Sequence, residues 1–140
     1  MRTGRCLCGL CSYEIDGEPL VVAICHCLDC QRFSGAGHMT GAMFAEDGIH
    51  LKGEPATYSM TSEAGNTVTR LFCADAAALC SARNTGMPGF ITVMMGTLDS
   101  SEGLKPQVAI FVRSCRHSDA TDLAVQTFDA QPNWTPPNTG

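Results

Sequence analysis

Short apolar runs separated by glycine, proline and aspartate make up most of the chain. Cys11, Tyr13 and Ile15 alternate with Ser12 and Glu14, which is the period-two pattern of a half-buried strand. Similar runs predict further strands over residues 20–24, 37–45, 49–52, 57–60, 67–72, 89–95 and 107–113. A helical period is convincing nowhere beyond one turn near residues 75–78. The pattern therefore predicts a mostly β fold.

The two most hydrophobic runs, 89–95 and 107–113, are expected to be central strands of the sheet. From residue 121 onward the composition changes, and Pro132, Pro136 and Pro137 predict an extended segment. Phe128 and Trp134 indicate that part of this segment packs on the body. We therefore predict one domain over residues 1–120, followed by an extended proline-rich tail over residues 121–140.

Composition and charge narrow the function classes. The chain has 140 residues, of which 44% are hydrophobic and 16% charged, so a single globular domain is expected. The net charge of -5 and the absence of a basic block disfavour a nucleic-acid partner. No apolar run approaches the roughly 20 residues of a membrane helix, and the N-terminal segment lacks a signal-peptide stretch. We expect no membrane partner and a cytoplasmic location.

Nine cysteines are an unusually large number for a chain of this length. In a reducing compartment clustered cysteines indicate metal binding or catalysis more often than disulfides, and the odd count leaves at least one unpaired. A small disulfide-stabilised scaffold is the alternative. Such scaffolds lack a hydrophobic core, whereas this chain has several apolar strands, so we favour metal binding or catalysis.

The densest group, Cys25, Cys27 and Cys30, places three thiols within six positions. Zinc holds thiolate sulfurs at about 2.3 Å, which puts them roughly 3.8 Å apart, and a tight knuckle at a strand end allows this. Three cysteines with no fourth nearby favour a catalytic site with one open coordination position. The alternative is a closed structural site completed by a distant cysteine. His26, between two of these cysteines, is expected to point away from them.

A second group begins with the C-x-C pair of Cys6 and Cys8 and needs a partner pair downstream. Cys73 is the obvious candidate, but a C-x-x-C there would need cysteine at position 76, where the chain has Ala76. The remaining thiols available to this group are Cys80 and Cys11.

Together, the segments GRCLCGLCSYE, CHCLDCQRFSG and KPQVAIFVRS resemble the glutathione-dependent formaldehyde-activating enzyme family. That family shares the Mss4-like fold with the centromere protein V group. The resemblance runs from about residue 4 to about residue 132. It implies coiled β-sheets with two zinc sites, one held by the early C-x-C plus a later C-x-x-C and one at the C-H-C-x-x-C knuckle.

Matched position by position, the resemblance assigns residues to three roles. The structural zinc site takes Cys6, Cys8 and Cys73. The catalytic metal site takes Cys25, Cys27 and Cys30. The basic and Ser-Gly positions that follow, which the resemblance implies for substrate binding, are Arg32, Ser34 and Gly35.

The chain departs from the family pattern at Ala76 and Ala77, which stand where the family has its second cysteine and a glycine. The structural site has thus lost a ligand, which should weaken zinc binding severely, so we expect one or two zinc ions per chain. Three solutions are open: Cys80 replaces the ligand, Asp75 or water does so, or this zinc is absent. We favour Cys80.

The resemblance implies a zinc-dependent carbon–sulfur lyase that condenses glutathione with formaldehyde to S-hydroxymethylglutathione, or acts on a related thiol adduct. Its partner would be a small thiol, with Arg32 pairing with a carboxylate of the tripeptide. The alternative is a non-catalytic zinc-binding module that acts through a protein partner. An oligomer is compatible with either hypothesis.

Overall fold

The computed structural model describes residues 1–119 and 125–132. Within them the chain forms one helix, α1 (Leu28–Ser34), and a series of short strands. The strands are β1 (Arg2–Arg5), β2 (Ser12–Ile15), β3 (Val21–Cys25), β4 (Met39–Ala45), β5 (Ile49–Lys52), β6 (Ala56–Thr61), β7 (Thr67–Cys73), β8 (Ala78–Asn84), β9 (Phe90–Met94), β10 (Val108–Ile110) and β11 (Gln126–Thr127). Single 3-10 turns occupy Glu46–Gly48, Met95–Thr97 and Val112–Ser114.

The strands form two sheets. A three-stranded antiparallel sheet has the order β1-β2-β5, and a larger sheet has the order β11-β10-β3-β4-β9-β8-β7-β6. Strand β10 runs parallel to β3 and β11, whereas the other pairs of the large sheet are antiparallel. The mostly β prediction is confirmed. Among the described residues, no helix is long and apolar enough to cross a membrane.

The main hydrophobic core lies between the small sheet and the centre of the large one. Tyr13 and Ile15 of β2 contact Phe44 of β4 and Val93 of β9, and all four side chains are at most 3% exposed. Burying an aliphatic or aromatic side chain of this size stabilises the fold by roughly 1.5–3 kcal/mol. The alternation of β2 thus faces the core as its pattern predicts.

Several predictions about secondary structure were wrong. Helix α1 was missed, and residues 75–78 form a turn leading into β8 rather than a helical turn. Strands β1 and β8 were also missed. The run 107–113 was expected to be central, but β10 spans only Val108–Ile110 and lies next to the edge strand β11. The reason is that Phe111 takes a left-handed conformation with φ 55°, which ends the strand.

Part of the predicted tail lies against the large sheet. The Phe128 N–H donates to the Ala109 carbonyl at 2.8 Å, and the Val112 N–H donates to the Phe128 carbonyl at 3.1 Å. Trp134, Pro136 and Pro137 lie outside the described residues. The division into a domain of residues 1–120 and a tail stays a prediction.

Candidate functional site

Three cysteines converge where β3 meets α1. Cys25 ends the strand, Cys27 precedes the helix and Cys30 lies in its first turn. Their sulfur atoms all lie within 4.8 Å of one another, and none is in a disulfide. The structure therefore brings together the three residues predicted to be catalytic, in a spacing that suits thiolate ligands of one metal ion.

Cys27 also starts the helix that carries Cys30. Its sulfur accepts the backbone N–H of Cys30 at 3.2 Å, which satisfies one of the free amide groups of the first turn. The helix ends at Gly35, whose φ of 70° is left-handed and favours glycine, and whose N–H donates to the Gln31 carbonyl at 2.8 Å. These two caps limit α1 to Leu28–Ser34, the segment that carries Cys30.

Buried Gln31 fixes the knuckle to its surroundings. Its side-chain amide donates to the His26 carbonyl at 2.8 Å and to the Ser114 carbonyl at 2.9 Å, and its carbonyl accepts from the Arg116 guanidinium. Gln31 is only 6% exposed, so these bonds are protected from water. One side chain thus joins the end of β3, the helix and the 3-10 turn at Val112–Ser114.

Hydrogen bonding among the thiols concentrates negative charge on one sulfur. The S–H groups of Cys25 and Cys30 and the Cys30 backbone N–H donate to Cys27 and lower the pKa of its thiol to about 2. The positive charge of Arg70 lowers that pKa further, whereas the Cys25 pKa is raised because its proton is held by Cys27. Thiolate is the form of cysteine that binds metal ions.

His26 lies next to a carboxylate and a second imidazole, those of Asp119 and His38. Its Nδ1 lies 3.2 Å from an Asp119 carboxylate oxygen, and the same oxygen accepts from Nδ1 of His38 at 2.7 Å. The His26 ring is fully buried, and its centre lies 5.5 Å from that of His38. The His26 ring thus lies beside Asp119 and His38, and its expected orientation away from the thiols stays a prediction.

A cavity of about 810 Å³ opens beside the three cysteines. Its size is in the range of pockets that enclose small-molecule ligands. Methionines and small residues of β3, β4, β6 and β9 supply much of its apolar wall. Four arginines line it: Arg32, Arg70, Arg83 and Arg113.

Arg70, which the sequence reasoning missed, is buried in the wall of this cavity at 6% exposure. Its guanidinium carbon lies 4.4 Å from the centre of the Phe33 ring, and one terminal nitrogen lies 4.0 Å from the Met39 sulfur. Its Nε has no hydrogen-bond partner among the described residues. A buried cation is costly for the fold unless anions lie near it, and the charge of Arg70 already acts on the Cys27 thiolate, whose pKa it lowers.

The three residues predicted to bind substrate lie at different places. Exposed Arg32 lines the cavity. Ser34 and Gly35 are not among the described residues of its lining; the Ser34 hydroxyl accepts the Ala36 N–H at 3.0 Å and lies 3.3 Å from the His38 carbonyl. Their contacts stabilise the end of α1, and a role in substrate binding stays a prediction for all three.

The second group of thiols lies between the small sheet and the β7–β8 turn. The Cys8 sulfur is 3.6 Å from that of Cys6 and 3.5 Å from that of Cys73, so the three predicted ligands are brought together. Cys80 is buried in the same cluster, but its thiol donates to the Ala78 carbonyl at 3.5 Å. Its predicted role as a ligand is not tested by these contacts.

Cys11, which the sequence leaves as a spare thiol, also joins this second group. The Cys11 sulfur lies within 4.8 Å of both Cys6 and Cys73. The Cys11 N–H donates to the Cys6 sulfur and contributes most to lowering the pKa of that thiol to about 6. Buried sulfurs at these distances, free of disulfides, fit a thiolate-preferring ion such as zinc.

Comparisons with known proteins bear on the family and the fold of the chain. The model of a family described as glutathione-dependent formaldehyde-activating enzyme matches residues 1–114. The chain also resembles the crystal structure of a Rhodobacter sphaeroides protein from a structural genomics project, with 17% identity and a TM-score of 0.58 over 90% of this chain and 98% of that one. At this identity the likeness concerns the fold alone. The search of curated proteins found no match.

Proposed function

Because the chain belongs to the glutathione-dependent formaldehyde-activating enzyme family, we propose that it joins a small thiol such as glutathione to formaldehyde or a related aldehyde. In the reverse direction the same enzyme is a carbon–sulfur lyase. The observation that carries the proposal is the convergence of Cys25, Cys27 and Cys30 beside a cavity of about 810 Å³ with the Arg70 charge in its wall.

The three cysteines are suited to a catalytic metal. Within the part of the chain that the structure describes, no fourth histidine, cysteine or carboxylate is grouped with Cys25, Cys27 and Cys30. That donor set fits zinc with one open coordination position. A zinc ion held there would supply a centre that binds a thiol and lowers its pKa toward neutrality.

The reaction needs no oxidant or second substrate beyond the thiol and the aldehyde. The thiol sulfur attacks the carbonyl carbon and forms the carbon–sulfur bond, and the π electron pair of the carbonyl moves to its oxygen. The thiol proton ends on that oxygen, so the product is the sum of the two reactants. The reverse step breaks the same bond and returns the proton to sulfur.

Charge in the cavity favours an anionic thiol. Arg83 forms an ion pair with Glu46, and Arg113 forms one with Glu63, so both are already neutralised. Arg32 and Arg70, the other two arginines of the lining, have no carboxylate partner among the described residues, and they outnumber Asp29, the one described lining carboxylate that is in no ion pair. Glutathione carries two carboxylates, and a charged hydrogen bond to a guanidinium is among the strongest contacts that a side chain can offer them.

The proposal is tested by titrating glutathione into the zinc-loaded protein by calorimetry. We expect saturable binding at millimolar glutathione or below, and weaker binding after removal of the Arg70 charge. Arg2→Gln is a matched control, because Arg2 lies outside the cavity lining and contacts Glu18 and the Glu102 carbonyl. No binding at millimolar glutathione would overturn the proposal and favour the non-catalytic zinc module.

A further inference from the structure

We propose that Cys11 supplies the ligand that Ala76 cannot, so that Cys6, Cys8, Cys11 and Cys73 hold one zinc ion with four thiolates. Those four cysteines are absent from the described lining of the 810 Å³ cavity, so the proposal is independent of the function proposed above. It replaces the solution that the sequence favours, in which Cys80 is the fourth ligand.

Sulfur positions carry the first step of the argument. Around zinc, thiolate sulfurs are expected roughly 3.8 Å apart. The Cys8 sulfur lies 3.6 Å from Cys6 and 3.5 Å from Cys73, and the sulfurs of Cys6, Cys11 and Cys73 are mutually within 4.8 Å. Cys8 and Cys11 thus both lie close to Cys6 and to Cys73, at spacings near those of thiolate ligands on one zinc ion.

The loop between Cys6 and Cys11 already has the form of a metal knuckle. The Cys6 N–H donates to the Cys11 carbonyl at 2.9 Å, and the Cys11 N–H donates in return to the Cys6 sulfur at 3.4 Å. Gly9, with φ 83°, makes the tight turn between them, and its N–H donates to the Cys6 carbonyl at 3.2 Å. An amide that donates to a ligand sulfur stabilises the thiolate form that binds metal.

The alternation of strand β2 explains why Cys11 lies in the cluster. It immediately precedes β2, whose buried positions Tyr13 and Ile15 alternate with partly exposed ones, so Cys11 falls on the buried face. Cys80 is equally buried, but its thiol is engaged by the Ala78 carbonyl of its own strand, at 3.5 Å. Turning Cys80 toward a metal would break that contact, whereas Cys11 faces the other sulfurs as it stands.

The backbone of the β7–β8 turn still places position 76 next to the thiol cluster. Ala76 packs against the thiol cluster, and Ala77 keeps a left-handed conformation with φ 51°, which favours glycine. A cysteine at position 76 would therefore start from a backbone that still faces the sulfurs. Because Cys73 ends β7 while Cys6 and Cys11 flank the β1–β2 loop, the bound metal would also tie the small sheet to the large one.

Zinc content of single variants tests the proposal. We expect Cys11→Ser to bind zinc at this site at least about 100-fold more weakly, so that it retains one zinc ion fewer than the parent after dialysis against a weak chelator. Cys80→Ser, the matched control, should retain as much zinc as the parent. Cys11→Ser combined with Ala76→Cys should recover the lost ion. Equal zinc in Cys11→Ser and the parent, or a loss in Cys80→Ser, would overturn the proposal.

A second measurement on the unmodified protein covers the case in which Cys11→Ser fails to fold. Thiols are alkylated with and without a zinc chelator, and labelled cysteines are mapped by mass spectrometry. We expect Cys11 labelling to rise together with that of Cys6, Cys8 and Cys73 when zinc is removed. Cys11 labelling that does not depend on zinc would contradict its role as a ligand.

Discussion

The guanidinium carbon of Arg70 lies 4.4 Å from the centre of the Phe33 ring, which places a buried positive charge at the wall of the cavity beside the three-cysteine knuckle. The aromatic face contributes about 0.5–2 kcal/mol to such a pair. The Arg70 Nε has no hydrogen-bond partner among the described residues. The charge of Arg70 therefore acts on anions at the cavity wall, as its lowering of the Cys27 pKa indicates.

Replacing Arg70 is expected to weaken glutathione binding more than it weakens the fold. In Arg70→Met the apparent Kd for glutathione should rise about 10- to 100-fold, the range expected for loss of a charge-assisted hydrogen bond of about 1.5–3 kcal/mol. The free energy of unfolding should change by less than about 1 kcal/mol, because the lost contact with Phe33 is offset by removal of a buried charge. Calorimetry and urea unfolding measure the two effects.

Arg2→Gln, outside the cavity, should leave glutathione binding unchanged. An Arg70→Met protein that binds glutathione as tightly as the parent would show that this charge does not face the ligand. A large loss of stability in the same variant would instead assign Arg70 a structural role.

Cys27 is expected to have two separable roles, as a thiolate and as the helix cap. In metal-free protein, Cys27→Ala should lower the free energy of unfolding by about 1 kcal/mol, because the Cys30 N–H loses its acceptor. Cys27→Ser should stay close to the parent, since a serine hydroxyl is a favourable cap. Urea unfolding in the presence of a chelator measures this difference. Equal stability of the two variants would exclude a capping role.

Gln31→Ala should lower both the stability of the protein and its zinc affinity at the knuckle. Removal of the side-chain amide leaves the His26 and Ser114 carbonyls without that donor, at a cost of about 1–3 kcal/mol. Because the same bonds orient the knuckle, zinc affinity should fall about 10- to 100-fold. Thermal unfolding with chelator and zinc competition titration check the two parts.

Gln126→Ala, on the exposed strand β11, is the control and should change neither quantity. If Gln31→Ala destabilises the protein but leaves zinc affinity unchanged, Gln31 supports the fold without orienting the ligands.

The strands were easier to predict from sequence than the helix. Strand β2 alternates clearly, and Ile49–Lys52 was located correctly, because turn residues bound both runs. Helix α1 has only seven residues and depends on a cysteine cap at Cys27 and a left-handed end at Gly35, neither of which gives a long apolar period. Strand β8 owes its conformation to its neighbours β7 and β9, which no local pattern shows.

The candidate sites were predictable from spacing where the cysteines are close in sequence, whereas the distant Cys73 was assigned to Cys6 and Cys8 through the family resemblance. Cys25, Cys27 and Cys30 lie within six positions of one another, so their spacing alone predicts the knuckle. Cys11 and Cys73 meet only through the packing of the two sheets. The sequence contains one signal for Arg70, because a charged residue shares a strand face with Val68. Its place beside the knuckle, however, depends on long-range strand pairing.

Ala77→Gly is expected to stabilise the protein by about 0.5–1 kcal/mol. Alanine is strained in the left-handed conformation at φ 51°, whereas glycine adopts it without strain. Part of this gain is lost because glycine also raises the conformational entropy of the unfolded chain. Ala78→Gly, one residue later in β8, should instead be destabilising, since the strand conformation offers glycine no advantage. Urea unfolding of both variants checks the contrast. A destabilised Ala77→Gly would mean that the turn is not strained.

The most direct test of the proposed activity is the rate at which glutathione and its hydroxymethyl adduct interconvert at equilibrium, measured by exchange NMR in a mixture with formaldehyde. An enzyme speeds both directions without changing the equilibrium. The zinc-loaded protein should raise the exchange rate, Cys27→Ser should return it to the rate in buffer, and Cys115→Ser, outside both thiol clusters, should match the parent. An exchange rate that stays at the buffer value with zinc-loaded parent protein would contradict the account.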